Sequence, residues 1–140
     1  MAAPQETARA WWRPISIAIC GLMVVSTGAF AVASIVHFGV AIVLGPVTID
    51  DPFPGAAIPE AIIAIVLGIG SITVIARLPA RWRVALATTL FALLVTIYGL
   101  TVTVGSSRTG DITYHVTILV VLVLIVGLLL LPTGRHGLSV

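Results

Sequence analysis

Four long runs without Asp, Glu, Lys or Arg constrain this 140-residue chain more than any other feature. They cover residues 14–49, 61–76, 84–107 and 112–134. A helix that crosses a bilayer needs about 20 predominantly apolar residues. A soluble domain carries about 25% charged residues, whereas this chain carries 9%, and 59% of its residues are hydrophobic. These values exclude a soluble enzyme and a nucleic-acid-binding module, and they predict an integral membrane protein.

The lengths of the runs predict one all-α membrane domain over residues 1–140. The first run is too long for a single span, since its 36 residues would measure about 54 Å as a helix against a hydrocarbon core of about 30 Å. The proline-rich stretch 46–59 predicts an irregular outer cap loop. Short connections elsewhere favour antiparallel neighbours, and so an up-down-up-down four-helix bundle. The predicted spans are about 15–38, 58–77, 84–105 and 112–132.

The arginines predict the orientation of this bundle, because cytoplasmic loops of membrane proteins carry an excess of Lys and Arg. Arg108 alone would lie on the outer side, and both termini are therefore predicted to be cytoplasmic. The absence of lysine is typical of a GC-rich bacterial genome and so predicts a bacterial plasma membrane protein. The residues on the cytoplasmic side would be Arg9, Arg13, Arg77, Arg81, Arg83 and Arg135, with Trp11, Trp12 and Trp82 at the interface.

Two features of the first half leave alternatives open. Residues 1–33 also fit a cleaved signal peptide, but the apolar run continues unbroken to Ile49, which favours a membrane anchor. Small residues recur on the second span at three- and four-residue steps and predict a face for close helix packing, either within the chain or in a homo-oligomer. Cys20 is the single cysteine, which excludes an intrachain disulfide. The small residues are Ala57, Ala61, Ala64 and Gly68.

Each span carries one candidate functional residue, namely His37, Glu60, Tyr98 and His115. Ionisable groups inside a membrane are costly and are functional candidates for that reason. Counting the helical rise from the arginines places all four in the outer third of the membrane or at its outer interface. We therefore expect them to border one cavity beneath the cap loop, with Asp111 and Tyr114 beside this layer.

More ordinary roles compete with this prediction. Glu60 follows Pro59, and at the start of a helix a carboxylate complements the free N–H groups. Tyr98 and the two histidines fit interfacial anchors. Serines and threonines in the spans are expected to bond back to their own helices.

Three kinds of ligand fit the candidate residues. A quinone or lipid-like ligand needs an apolar slot, a hydrogen-bond donor and a carboxylate that exchanges a proton. Two histidines from different spans are typical of a haem b site, and His37, Glu60 and His115 offer the ligands of a metal site. The chain has no glycine-rich phosphate loop and no nucleophile elbow. The sequence therefore does not decide whether the protein is an enzyme.

The second half of the chain resembles the DoxX-like four-helix membrane proteins. The likeness lies within residues 59–140 and has three parts. They are the start of the second span, P-E-A-I-I-A-I-V-L-G-I-G, the inner turn A-R-L-P-A-R-W-R, and the end of the fourth span, L-L-L-L-P-T-G-R-H-G-L-S. The chain lacks the extended outer domain of the thiosulfate:quinone oxidoreductase branch. The resemblance implies a redox-associated or quinone-interacting bundle, or an accessory subunit of a larger membrane complex. A purely structural assembly subunit and a metal- or haem-binding protein are the alternatives.

Overall fold

The chain is helical in the computed structural model, which describes residues 4–106 and 109–139. Four of its helices are long and apolar enough to cross a membrane, with mean hydropathies between 2.0 and 2.6. The predicted helical class and the predicted number of apolar helices are thereby confirmed. The helices are α1 (Pro4–His37), α2 (Pro54–Ile75), α3 (Arg81–Ser106), α4 (Thr109–Leu130) and α5 (Pro132–Ser139).

The segment between α1 and α2 differs from the predicted irregular loop over 46–59. It holds two antiparallel strands, β1 (Ile42–Leu44) and β2 (Val47–Ile49), with Val43 paired to Thr48. Gly45 takes a φ of 60° at the turn, a conformation that favours glycine. β-Branched residues on both sides of a Gly-Pro turn explain the hairpin.

The second helix begins four residues earlier than the predicted start at residue 58, because Pro54 occupies its first position. Proline is well tolerated in the first turn of a helix, where its missing N–H has no intrahelical partner. Pro59 therefore lies inside α2 rather than in the cap. The connection between α1 and α2, residues 38–53, is called the cap segment below. Its base is closed by the Phe53 N–H, which donates to the His37 carbonyl at 2.9 Å.

The long helices pack in a closed set of contacts: α1 on α2, α2 on α3, α3 on α4, and α4 on α1. The small residues of α2 contribute to the first of these contacts. Ala57 is fully buried and its carbonyl accepts a hydrogen bond from the Ser34 hydroxyl at 2.8 Å. Gly68 faces Thr27. The close-packing face is thus used within the chain. Fully buried large side chains in the core are Ile19, Met23, Phe30, Leu67, Leu122, Ile125 and Leu129.

Hydroxyl side chains in the helices mostly bond back to their own backbone, as predicted. Three buried threonines stand at seven-residue intervals on α3: Thr89, Thr96 and Thr103. Each hydroxyl donates to the carbonyl four residues earlier, at 2.7, 2.7 and 2.9 Å. This satisfies the hydroxyls without a partner helix.

The ends of the bundle differ in chemistry. The arginine end carries the α2–α3 turn and α5, with Arg77, Arg81, Arg83 and Arg135 lining one depression of about 490 Å³. There the Trp82 indole N–H donates to the Leu129 carbonyl at 2.8 Å. The hairpin end carries the cap segment and the start of α2. The predictions about Arg108 and about the side chains of Arg9, Arg13, Trp11 and Trp12 lie outside the described part of the chain.

Candidate functional site

His37 is the polar centre of the hairpin end, and it joins three helices. It is the last residue of α1 and is only 4% exposed. Its Nδ1 lies 2.6 Å from Glu60 Oε2 on α2, and its Nε2 lies 3.4 Å from Asp111 Oδ1 on α4. Both carboxylates are buried. These two contacts form a cluster of polar side chains within an apolar bundle.

The early start of α2 determines what Glu60 does. Since the helix begins at Pro54, Glu60 lies in its second turn, beyond the free N–H groups of the first. The interpretation of Glu60 as a carboxylate at the helix start is therefore wrong, and its partner is His37 instead. The Phe53 ring packs edge-on against the His37 ring, with centroids 5.9 Å apart, and limits its rotation.

Glu60 also lines a cavity of about 220 Å³, whose walls come mainly from α2 and α3, with His115 from α4. Three of the four predicted site residues line it, namely Glu60, Tyr98 and His115. His37 does not line this cavity, in contrast to the prediction, because it contacts Glu60 from the side of α1. The remaining lining is mostly apolar and includes Phe30, Ile63, Val95 and Val102.

The rim of the cavity reaches the outer surface of the helices beside Tyr98. The Tyr98 side chain is 70% exposed and that of Val102 is 48% exposed. His115, by contrast, is buried at the inner wall. The lining also includes Phe53, Gly55 and Pro59 at the hairpin end, so the cavity extends from the predicted cap region to the exposed helix surface at Tyr98.

The hydrogen bonds of His115 determine which of its ring nitrogens is available. Its Nδ1 lies 2.7 Å from the Asp111 carbonyl, and a carbonyl only accepts, so the network assigns the proton to Nδ1. In the neutral ring Nε2 is then an acceptor. It lies close to Gly99 of α3, where a Cβ atom would come within 3.2 Å of it.

The free oxygen of Glu60 is an acceptor for a similar reason. Oε2 shares one proton with His37 Nδ1, and this proton resides on one atom or the other. Oε1 takes no part in this contact and can accept a hydrogen bond. Oε1 is buried and has no hydrogen-bond partner among the described residues. Glu60 of α2 and His115 of α4 both line the cavity, and each side chain has an atom that can accept a hydrogen bond.

The structure brings together a different set of possible metal ligands from the alternative set of His37, Glu60 and His115 that the sequence offers. Ligand atoms of His37, Asp51 and Asp111 all lie within 4.8 Å of one another. In that alternative set, Glu60 bonds to His37 itself and His115 Nδ1 bonds to a backbone carbonyl. The geometry also disfavours a bis-histidine haem site, since both ring nitrogens of His37 face carboxylates.

Sequence reasoning missed the contribution of the cap segment to this site. Asp51 belongs to it, and its approach to His37 depends on how the hairpin folds. Asp111 and Tyr114 were expected beside the layer, but their contacts were not. The Tyr114 ring packs edge-on against Phe30 and His115, with centroids 6.2 and 5.2 Å apart.

Comparison of the chain with protein-family models, with curated proteins and with solved structures finds no match.

Proposed function

We propose that this chain is a quinone-interacting membrane protein whose cavity binds the reduced, hydroxyl-bearing form of such a ligand. One observation carries the proposal: the Glu60 Oε1 atom is buried, lacks a partner among the described residues and belongs to a residue that lines an apolar cavity. A buried polar atom without a partner costs about 1–3 kcal/mol. A ligand hydroxyl that donates to Oε1 removes this cost.

The size and position of the cavity fit a ring with an apolar tail. Pockets for drug-sized ligands have volumes of roughly 300–1,000 Å³, so a cavity of about 220 Å³ accommodates a head group alone. The tail would leave beside Tyr98 and Val102, both exposed on the helix surface. This route leads into the acyl chains of the bilayer.

Hydrogen-bond polarity favours a quinol over a quinone. Glu60 Oε1 can accept, as can His115 Nε2 when Nδ1 carries the ring proton, and the two hydroxyls of a quinol both donate. The carbonyl oxygens of a quinone only accept, so they could not form hydrogen bonds with Glu60 Oε1 and His115 Nε2 when both of these atoms are acceptors. The resemblance to DoxX-like proteins supports the same class of ligand.

Substitution of Glu60 by glutamine is expected to reverse this preference. The glutamine carbonyl would accept from His37 Nδ1, and its NH₂ group would then face the cavity as a donor. We expect quinol affinity to fall about 10- to 100-fold and quinone affinity to rise, because a buried polar group left without its hydrogen bond costs about 1–3 kcal/mol. The measurement is ligand-dependent thermal unfolding of the full chain in detergent, with a short-tailed quinol and its quinone.

Controls separate this result from a structural role. The dimethyl ether of the quinol keeps the ring but loses both donors, and it is expected not to stabilise the protein. Asp50→Asn removes an exposed carboxylate from the cap segment and should leave the preference unchanged. Ala56→Phe fills the cavity from the α2 side and should abolish binding.

Equal stabilisation by quinol and dimethyl ether, or binding unaffected by Ala56→Phe, would contradict the proposal. Lack of all binding would favour a purely structural accessory subunit.

We also propose an up-down-up-down topology in a bacterial plasma membrane, with the arginine end and both termini in the cytoplasm. The four arginines around the Arg77–Arg83 turn and α5 support this orientation through the positive-inside rule. A cysteine at the exposed Asp50 is expected to react with a membrane-impermeant thiol reagent in intact cells, and one at the exposed Ala80 is not. Ser107, a third site for such a test, lies outside the described residues. Labelling at Ala80 and protection at Asp50 would reverse the orientation.

A further inference from the structure

We propose that His37, Asp51 and Asp111 form a binding site for a divalent first-row transition metal, with Zn²⁺ and Mn²⁺ as its best-matched ions. None of these three residues lines the cavity, and the site does not depend on the proposed quinol binding. The three side chains come from α1, the cap segment and α4, and their ligand atoms lie within 4.8 Å of one another. This set is new relative to the one that the sequence predicts.

The separation between His37 and Asp111 fits a shared metal ion better than a direct hydrogen bond. Nε2 and Oδ1 are 3.4 Å apart. A charge-assisted N–H···O bond is shorter, about 2.7–2.9 Å. In a tetrahedral site with metal–ligand bonds of about 2.0–2.1 Å, neighbouring ligand atoms are about 3.3–3.4 Å apart. The observed distance therefore leaves room for an ion between the two atoms.

Glu60 provides a second and independent indication of metal binding. Histidines that bind metal usually donate their other ring N–H to a carboxylate, which sets the tautomer and makes the ligand nitrogen more basic. The Glu60 carboxylate lies 2.6 Å from His37 Nδ1 in this position. With the proton on Nδ1, the lone pair of Nε2 points toward the two aspartates.

The composition of the site indicates which ions it selects. One imidazole and two carboxylates combine the ligand types that Zn²⁺ and Mn²⁺ accept, whereas Mg²⁺ and Ca²⁺ favour oxygen ligands alone. Three protein ligands leave at least one coordination position for water. Asp51 is partly exposed whereas the other two ligands are buried, so an ion enters through the cap segment.

The decisive variant is Asp51→Asn, because a partly exposed side chain can be changed with little effect on packing. Zn²⁺ and Mn²⁺ are titrated calorimetrically into the full chain in detergent. We expect one equivalent to bind, and Asp51→Asn to weaken binding at least 10-fold. Glu60→Gln should weaken it about 10- to 100-fold, the usual effect of losing a carboxylate behind a metal-bound histidine. Mg²⁺ should compete poorly.

Two matched variants make the titration falsifiable. Asp50→Asn removes the neighbouring exposed carboxylate, and His136→Gln removes a histidine on α5 at the arginine end; both should bind like the parent chain. Thermal unfolding without metal checks that Asp51→Asn is folded. Lack of binding to the parent chain, equal affinity in Asp51→Asn, or loss of binding in His136→Gln would each overturn the proposal.

Discussion

Replacing His37 with leucine is expected to lower the free energy of unfolding by about 3–5 kcal/mol. The substitution removes the partner of Glu60 Oε2 and leaves a carboxylate in an apolar bundle, where it is 3% exposed. Loss of one member of a buried ion pair usually costs this much, since the remaining group has lost its solvation without compensation. Unfolding in mixed detergent, followed by circular dichroism, measures the change.

The double variant His37→Leu/Glu60→Leu tests this explanation. Replacing a buried pair by apolar residues of similar volume is often neutral or stabilising, so the second substitution should recover most of the loss. A double-mutant cycle then reports a large coupling between the two positions. If the losses simply add, or if His37→Leu alone costs less than about 1 kcal/mol, the pair does not behave as the buried contact described.

Gly70→Ala is the second substitution with a large expected effect. Gly70 lies on α2 where it meets α3 and α1, and a Cβ atom there would collide with Thr88 Oγ1 and come within 2.9 Å of Met23 Cε. The Met23 side chain can move, but Thr88 is held by its hydrogen bonds to the Val84 and Ala85 carbonyls. Inserting one methyl group into such a contact costs about 1–3 kcal/mol.

The rescue for this variant is Thr88→Ala, which removes the colliding hydroxyl. The Thr88 Cβ atom stays 3.1 Å from the new methyl group, so most but not all of the lost stability should return. Gly127→Ala on α4 is the matched control, because nothing lies within 4 Å of its would-be Cβ. It should be neutral or slightly stabilising, by up to about 1 kcal/mol. Equal losses in Gly70→Ala and Gly127→Ala would indicate that the crossing is not close-packed.

The sequence allowed the number of long apolar helices to be predicted, but not the contacts within the site. Run length and helical rise determine how far a residue such as His37 lies along its helix. They do not determine which way it faces, and this is why His37 was assigned to the cavity when it contacts Glu60 from α1.

The hairpin and the start of α2 were missed for a related reason. Pro54 is compatible both with a loop and with the first position of a helix, and the buried packing of Ala57 against α1 is a tertiary contact that favours the helix. The role of Asp51 depends in turn on the hairpin, which brings it toward His37. Local sequence patterns do not predict contacts that depend on the relative positions of several helices and strands.

The threonines of α3 have a consequence for the order in which the protein is built. Thr89, Thr96 and Thr103 bond to carbonyls of their own helix, so α3 can leave the translocon for lipid with these hydroxyls already satisfied. By contrast, the contacts among His37, Glu60 and Asp111 require residues of three different helices. Glu60 can pair with His37 as soon as α2 is made, but Asp111 reaches His37 only after α4 has been synthesised. Biogenesis of the site is therefore complete only when the last long helix has entered the membrane.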